Sequence, residues 1–191
     1  SIILIFSCNN ISNSNIENWE ILFNGKDLKD WKIKFANQNI NTNYKNTFQV
    51  KDNILKVVYD NYEGFDDNYA QIYYKKPFSY YKLKFDYRFT GSQTKGGAGW
   101  AKRNSGIMIH SQSPESNGFG QSFPVSIEVQ LLGGLSDGKR PTANLCTPGT
   151  AIIINKKINY NHCIFSNSKT YDGDQWVSGE IIVLGGETIT H

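Results

Sequence analysis

The chain has little proline, little cysteine and no long apolar run. Five prolines in 191 residues leave its turns to 17 glycines and to asparagine. Three cysteines, without paired short spacings, argue against a structural zinc site built on Cys146, His162 and Cys163. No stretch approaches the about 20 apolar residues that a membrane-crossing helix needs. No internal repeat, heptad or amphipathic helical period occurs, which argues against solenoids, coiled coils and helical bundles. Charge of either sign is also thin and dispersed: 20 basic and 17 acidic residues give a net +3. Nucleic-acid binding needs a clustered basic stripe, so no nucleic-acid partner is expected.

What the chain does have is aromatic residues and strand alternation. Tyrosine and phenylalanine occur 11 times each, which suits half-buried pleated surfaces. The clearest amphipathic strand is 81–90. Leu83, Phe85, Tyr87 and Phe89 fall on one face; Lys82, Lys84, Asp86 and Arg88 fall on the other. A hairpin is expected at 48–59, with further strands at 19–23, 32–35, 69–74, 103–110, 126–131, 151–154, 162–165, 177–184 and 188–191. About ten to twelve short strands separated by turn signals predict an all-β sandwich or jelly roll. With 191 residues the chain is long enough for one large β domain with a sizeable core.

The organising stretch runs from Arg103 to Leu131. Asn104, Gly106, Met108 and His110 share one face of its first strand; Ser126, Glu128 and Gln130 share one face of its second. Side by side, these strands would carry amides, an imidazole and a carboxylate on one surface. That set can hold and deprotonate a polyol. Asp86 and Arg88 are candidates to line the same surface, against the simpler account that they face solvent. Trp100, on a glycine-rich loop, is a candidate stacking platform or a lid. The loops at 91–102 and 111–124 are long enough to carry function.

The segment Ser1–Cys8 is apolar and ends at a cysteine preceded by a small residue. It resembles the end of a bacterial lipoprotein signal, with Cys8 lipidated; the alternative is a buried N-terminal strand. Residues 9–18 are polar and read as a tether, leaving 19–191 as the domain. The remaining cysteines, Cys146 and Cys163, make an even number. An oxidising compartment permits a bridge between them, and two free thiols are the alternative.

Four ordered motifs carry a resemblance: ILFNGKDLKDW (21–31), RNSGIMIH (103–110), SIEVQLLGG (126–134) and GDQW (173–176). Together they resemble the 3-keto-disaccharide hydrolase family over about Trp19 to His191. The resemblance implies a concanavalin A-like jelly-roll β-sandwich of two antiparallel sheets, and an exported protein of the bacterial cell envelope that meets the membrane only through a lipid anchor. It also implies a glycoside or oligosaccharide substrate. Members usually continue through a further hairpin to one more strand, so the chain reads as shortened at its C-terminus.

Conventional glycosidases need two carboxylates across the scissile bond. The organising strand offers Glu128, then Gln130 where a second acid would be expected. A 3-keto sugar removes that need, because its C2 proton is acidified by the ketone. Glu128 or His110 is expected as the base. Arg103, Arg88 or a divalent metal would stabilise the enolate. Asn104, Gln130 and Asn144 would hold hydroxyl groups, and His162 is a candidate leaving-group acid. Glu128, His110 and Asp86 could supply metal ligands, but no ligand spacing commits the chain to a metal. The competing class is a non-catalytic carbohydrate-binding module on the same fold, using Trp100, Phe119 and Tyr171.

Overall fold

The computed structural model describes residues 19–191 in full and residues 2–10 by their backbone. The described residues form fifteen strands. The first seven are β1 (Ile2–Asn10), β2 (Trp19–Ile21), β3 (Trp31–Phe35), β4 (Phe48–Lys51), β5 (Ile54–Val57), β6 (Ala70–Tyr74) and β7 (Tyr80–Phe89). Then follow β8 (Asn104–Ile109), β9 (Ile127–Leu132), β10 (Asn144–Cys146), β11 (Ile152–Ile154) and β12 (Lys157–Asn159). The last three are β13 (Cys163–Ile164), β14 (Val177–Leu184) and β15 (Thr188–Thr190). All pairings are antiparallel.

The larger sheet runs β15-β14-β7-β1-β5-β4, with β2 also on β1. The smaller runs β13-β10-β9-β8. They pack face to face as a β-sandwich, the architecture expected from the strand pattern. Leu83, Phe85, Tyr87 and Phe89 of β7 meet Val129 and Leu131 of β9, Ile109 of β8, and Val177, Ile181 and Val183 of β14. One polar tie crosses this core: the buried Tyr87 hydroxyl bonds Thr142 Oγ1 at 2.7 Å, and Thr142 Oγ1 accepts from Leu132 N. A second core lies under the β3–β6 pair, where Ile33 and Phe35 pack with Phe23, Phe48 and Leu55.

The alternation therefore sorts correctly. Inward positions of β7 and β9 are the apolar ones, and their neighbours in sequence face outward. Asp52 and Asn53, both at positive φ, close the β4–β5 hairpin with a left-handed two-residue turn. The hairpin of β11 and β12 adds a strand the sequence pattern did not indicate.

The segment read as a signal forms β1. It pairs with β7 along its length, and on its other side with β5 at Ile3–Leu4 and β2 at Ser7–Asn9. The Cys8 side chain, and residues 11–18 of the expected tether, lie outside the described residues; the backbone of Asn9 and Asn10 is part of β1. Cys146 and Cys163 are joined by a disulfide across the β10–β13 pair.

Candidate functional site

The outward face of the smaller sheet is not open to solvent everywhere. Loops and the β3–β6 pair rise beside it, leaving a cleft of about 1630 Å³. Glu128, Gln130, Gly106, Met108, His110, Asn104, Trp100 and His162 all line it. The two halves of the organising stretch are in register, Met108 opposite Glu128 and Gly106 opposite Gln130. The sequence pairing of those two faces is what the structure shows.

Glu128 is the distinctive group. Among the described residues its carboxyl has no ion pair or hydrogen bond, and Arg103 pairs with Asp174 instead. Across the ladder its neighbours on the same face are Met108 and Cys146, the latter in the disulfide. Sulfur and methylene groups replace water on both sides. Burial pushes the Glu128 carboxyl up to about 7, because desolvation disfavours the charged form and no cation offsets it. A carboxyl near neutrality is suited to taking a proton and giving it back.

Gly106 decides where that carboxyl lies. A Cβ on Gly106 would fall on Glu128 Oε1 and crowd its Cγ and Cδ. The Glu128 side chain therefore leans diagonally over β8, through space that only glycine leaves open. The glycine was placed on this face from sequence, but its role was not read. A glycine inside a strand beside a carboxylate was the available signal.

Gln130 and Asn144 have separate jobs. Asn144 is fully buried; its Nδ2 donates to Gln130 Oε1 at 3.0 Å and to Pro141 O, and its Oδ1 accepts from Ser166 N. It is committed to the protein and does not line the cleft, contrary to the expectation that it holds a substrate hydroxyl. With its oxygen taken by Asn144, Gln130 presents its amide NH₂ to the cleft. Asn104 Nδ2 donates to Trp100 O at 3.0 Å, fixing the short turn that carries the indole.

Trp100 is half-exposed at the rim and stacks on Tyr69, with centroids 5.9 Å apart and planes 10° apart. Phe123 packs on Tyr69 at 4.7 Å. Tyr69 and Phe123 were not singled out from the sequence, and only the fold brings them beside Trp100. The 111–124 loop is tied down beside them: Gln71 Nε2 donates to Ser122 O, the buried Lys34 donates to Phe119 O, and Lys32 pairs with Glu115. Phe119 lies on this loop under Lys34, while Tyr171 packs against the main core.

Two expected residues are placed elsewhere, and a third, Arg103, lines the cleft but is bound to other partners. Asp86 and Arg88 lie on the outer face of the larger sheet, on the far side of the core from Glu128. Asp86 accepts from Ser178 Oγ, and Arg88 sits over the Trp176 ring at 5.0 Å. The alternation was read correctly, but β7 contributes its apolar face to the core between the two sheets, so its polar face points away from the cleft. Arg103 turns toward the 172–174 loop. It pairs with Asp174 at 3.2 Å and donates to the carbonyls of Gly173 and Phe89. It braces that loop rather than reaching the carboxylate. The trio Glu128, His110 and Asp86 is therefore not assembled. Among the described residues no three His, Cys, Asp or Glu side chains gather as a metal site.

Residues 18–191 match the family model described as a 3-keto-alpha-glucoside-1,2-lyase-like domain. No curated protein and no solved structure matches the chain.

Proposed function

The chain belongs to the 3-keto-alpha-glucoside-1,2-lyase-like family, and on that premise we propose that it cleaves 3-keto-glycosides and 3-keto-disaccharides by elimination across C1 and C2. The observation that carries this reading is the half-buried Glu128 carboxyl, without a partner among the described residues and raised to about 7 in the cleft. Glu128 takes the C2 proton. The C–H electron pair becomes the enolate, with its charge on the C3 oxygen. That charge then returns to expel the C1 substituent and leaves a C1=C2 double bond. Water adding at C1, with the proton returned to C2, completes a net hydrolysis.

The Gln130 amide is the donor available beside Glu128 for a substrate oxygen. His110 and His162, both exposed on the cleft wall, are candidates to protonate the departing oxygen. No second carboxylate is required, which fits the displacement of Asp86 to the opposite face. The lipobox-like ending at Cys8 supports a further part of the reading, export to the bacterial envelope with a lipid on Cys8.

One observation favours a second reading. The Tyr69–Trp100–Phe123 cluster is the kind of aromatic rim on which sugars stack in a non-catalytic binding module. Turnover separates the two. Aglycone release from a 3-keto glucoside, with none from the unoxidised glucoside, is expected for the eliminating enzyme. Binding of both sugars without release would establish the module instead.

A further inference from the structure

The β11–β12 hairpin stands off the sandwich as a separate two-stranded ribbon. Its base is closed by the Cys146–Cys163 disulfide and by Thr147 N donating to His162 O at 2.9 Å. Its tip is a two-residue turn at Asn155 and Lys156, with φ 50° and 63°. Ile153 and Ile158 are directly opposed on one face, and Tyr160 follows Ile158 by two residues, so it continues that face. These side chains are not tucked in: Ile153 is 72% exposed, Ile158 57% and Tyr160 80%. A ribbon this small gains nothing from leaving them in water.

Charge says what covers them. Lys156 and Lys157 sit at the tip, and residues 138–171 contain no aspartate or glutamate, in a chain with 17 acidic residues. Five basic residues fall in that same stretch. An apolar face bearing a tyrosine and edged by lysines is the composition of an element that lies in a lipid headgroup layer. A second copy of the chain is a poorer occupant. Three side chains fall well short of the about 800 Å² per partner of a stable interface, and two such tips would bring like charges together.

We propose that this hairpin docks on an anionic lipid surface, with Ile153, Ile158 and Tyr160 in the acyl boundary and Lys156 and Lys157 on the phosphates. This contact is separate from any lipid on Cys8, and it does not depend on the cleft chemistry.

The test is co-sedimentation of the unacylated full chain with vesicles of phosphatidylcholine alone or with phosphatidylglycerol added. Binding is expected only to the anionic vesicles and should weaken as salt rises. The pairs Ile153→Ser with Ile158→Ser, and Lys156→Glu with Lys157→Glu, should each weaken it roughly ten-fold. Their circular dichroism and melting should stay unchanged, because every altered side chain is exposed. Equal binding by either double variant, or no binding to anionic vesicles, overturns the proposal. A concentration-dependent dimer abolished by the isoleucine changes would also overturn it, by showing that a second chain covers the face.

Discussion

The two outward faces of the sandwich carry similar residues and differ in what surrounds them. On the larger sheet, Lys82 and Lys84 share Glu180 at 3.9 Å each, Asp86 meets Ser178, and Arg88 lies on Trp176. Every one of those charges has a partner on or beside its own sheet. On the smaller sheet, Glu128 stands between a thioether and a disulfide with no partner among the described residues, half-buried in the cleft. The polar–apolar alternation is the same in β7 and β9. What makes one face inert and the other chemically poised is the second storey of loops and the β3–β6 pair, which covers only one of them.

The largest expected effect is on turnover. Glu128→Gln should lower kcat on a 3-keto glucoside by about 10²–10⁴-fold while sugar binding persists. Asp86→Asn should change kcat less than about two-fold, since it touches only the far face. Comparable losses in both would erase the distinction between the faces.

Next comes Gly106→Ala. The added methyl must displace the carboxyl, and a shift of that size typically costs about 10- to 100-fold in rate. The melting temperature should move little. The acid limb of the rate profile should shift away from pH 7, because a displaced carboxyl regains water. In a Glu128→Asp background the shorter side chain vacates the space, so the same glycine change should add almost nothing.

Stability should follow pH with a defined sign. In the unfolded chain Glu128 ionises near 4.5; in the fold it ionises near 7. Below 4.5 it is neutral in both states and costs nothing. Between 4.5 and 7 the unfolded state gains charge first, so stability falls as pH rises, by about 3 kcal/mol in all, and it is level above 7. Denaturant titrations of Glu128→Gln should lack this descent. Replacing Cys146 and Cys163 with serine should cost a similar amount, about 3 kcal/mol from loop entropy. It should also re-wet one side of Glu128 and lower the pH of half-maximal rate.

The smallest effect belongs to the outer face. Glu180→Gln removes both lysine contacts, yet exposed pairs at such distances contribute less than about 0.5 kcal/mol. A larger loss in urea titration would mean that this face is more than a solvated surface.

How much of this was legible follows from the same contrast. Alternation and turn residues are local, so strands β4 to β9, the sandwich, and the shared face of Gly106, Met108, Glu128 and Gln130 could be read directly. Register then followed from which face was apolar. Which sheet β7 belongs to is not local, and Asp86 and Arg88 were therefore credited to the wrong side of the core. Arg103 and Asn144 were misread for a related reason. Key partners, Asp174 for one and Ser166 for the other, come from distant loops that no spacing rule brings near. The aromatic rim is of the same kind, since Tyr69, Trp100 and Phe123 lie on three separate segments. The hairpin at 152–159 was read only in part, because 151–154 carries a strand pattern and Lys157–Asn159 is too short to show one.

Met108 has a consequence of a different sort. It is the chain's single methionine, and it sits opposite Glu128 on the cleft wall. Peroxide would convert its sulfur to a sulfoxide, a strong hydrogen-bond acceptor with a large dipole. The carboxyl would then face a polar neighbour where it had an oily one. Oxidative stress would thus retune this site through one atom, reversibly, and without touching any group that meets the sugar's reacting carbons.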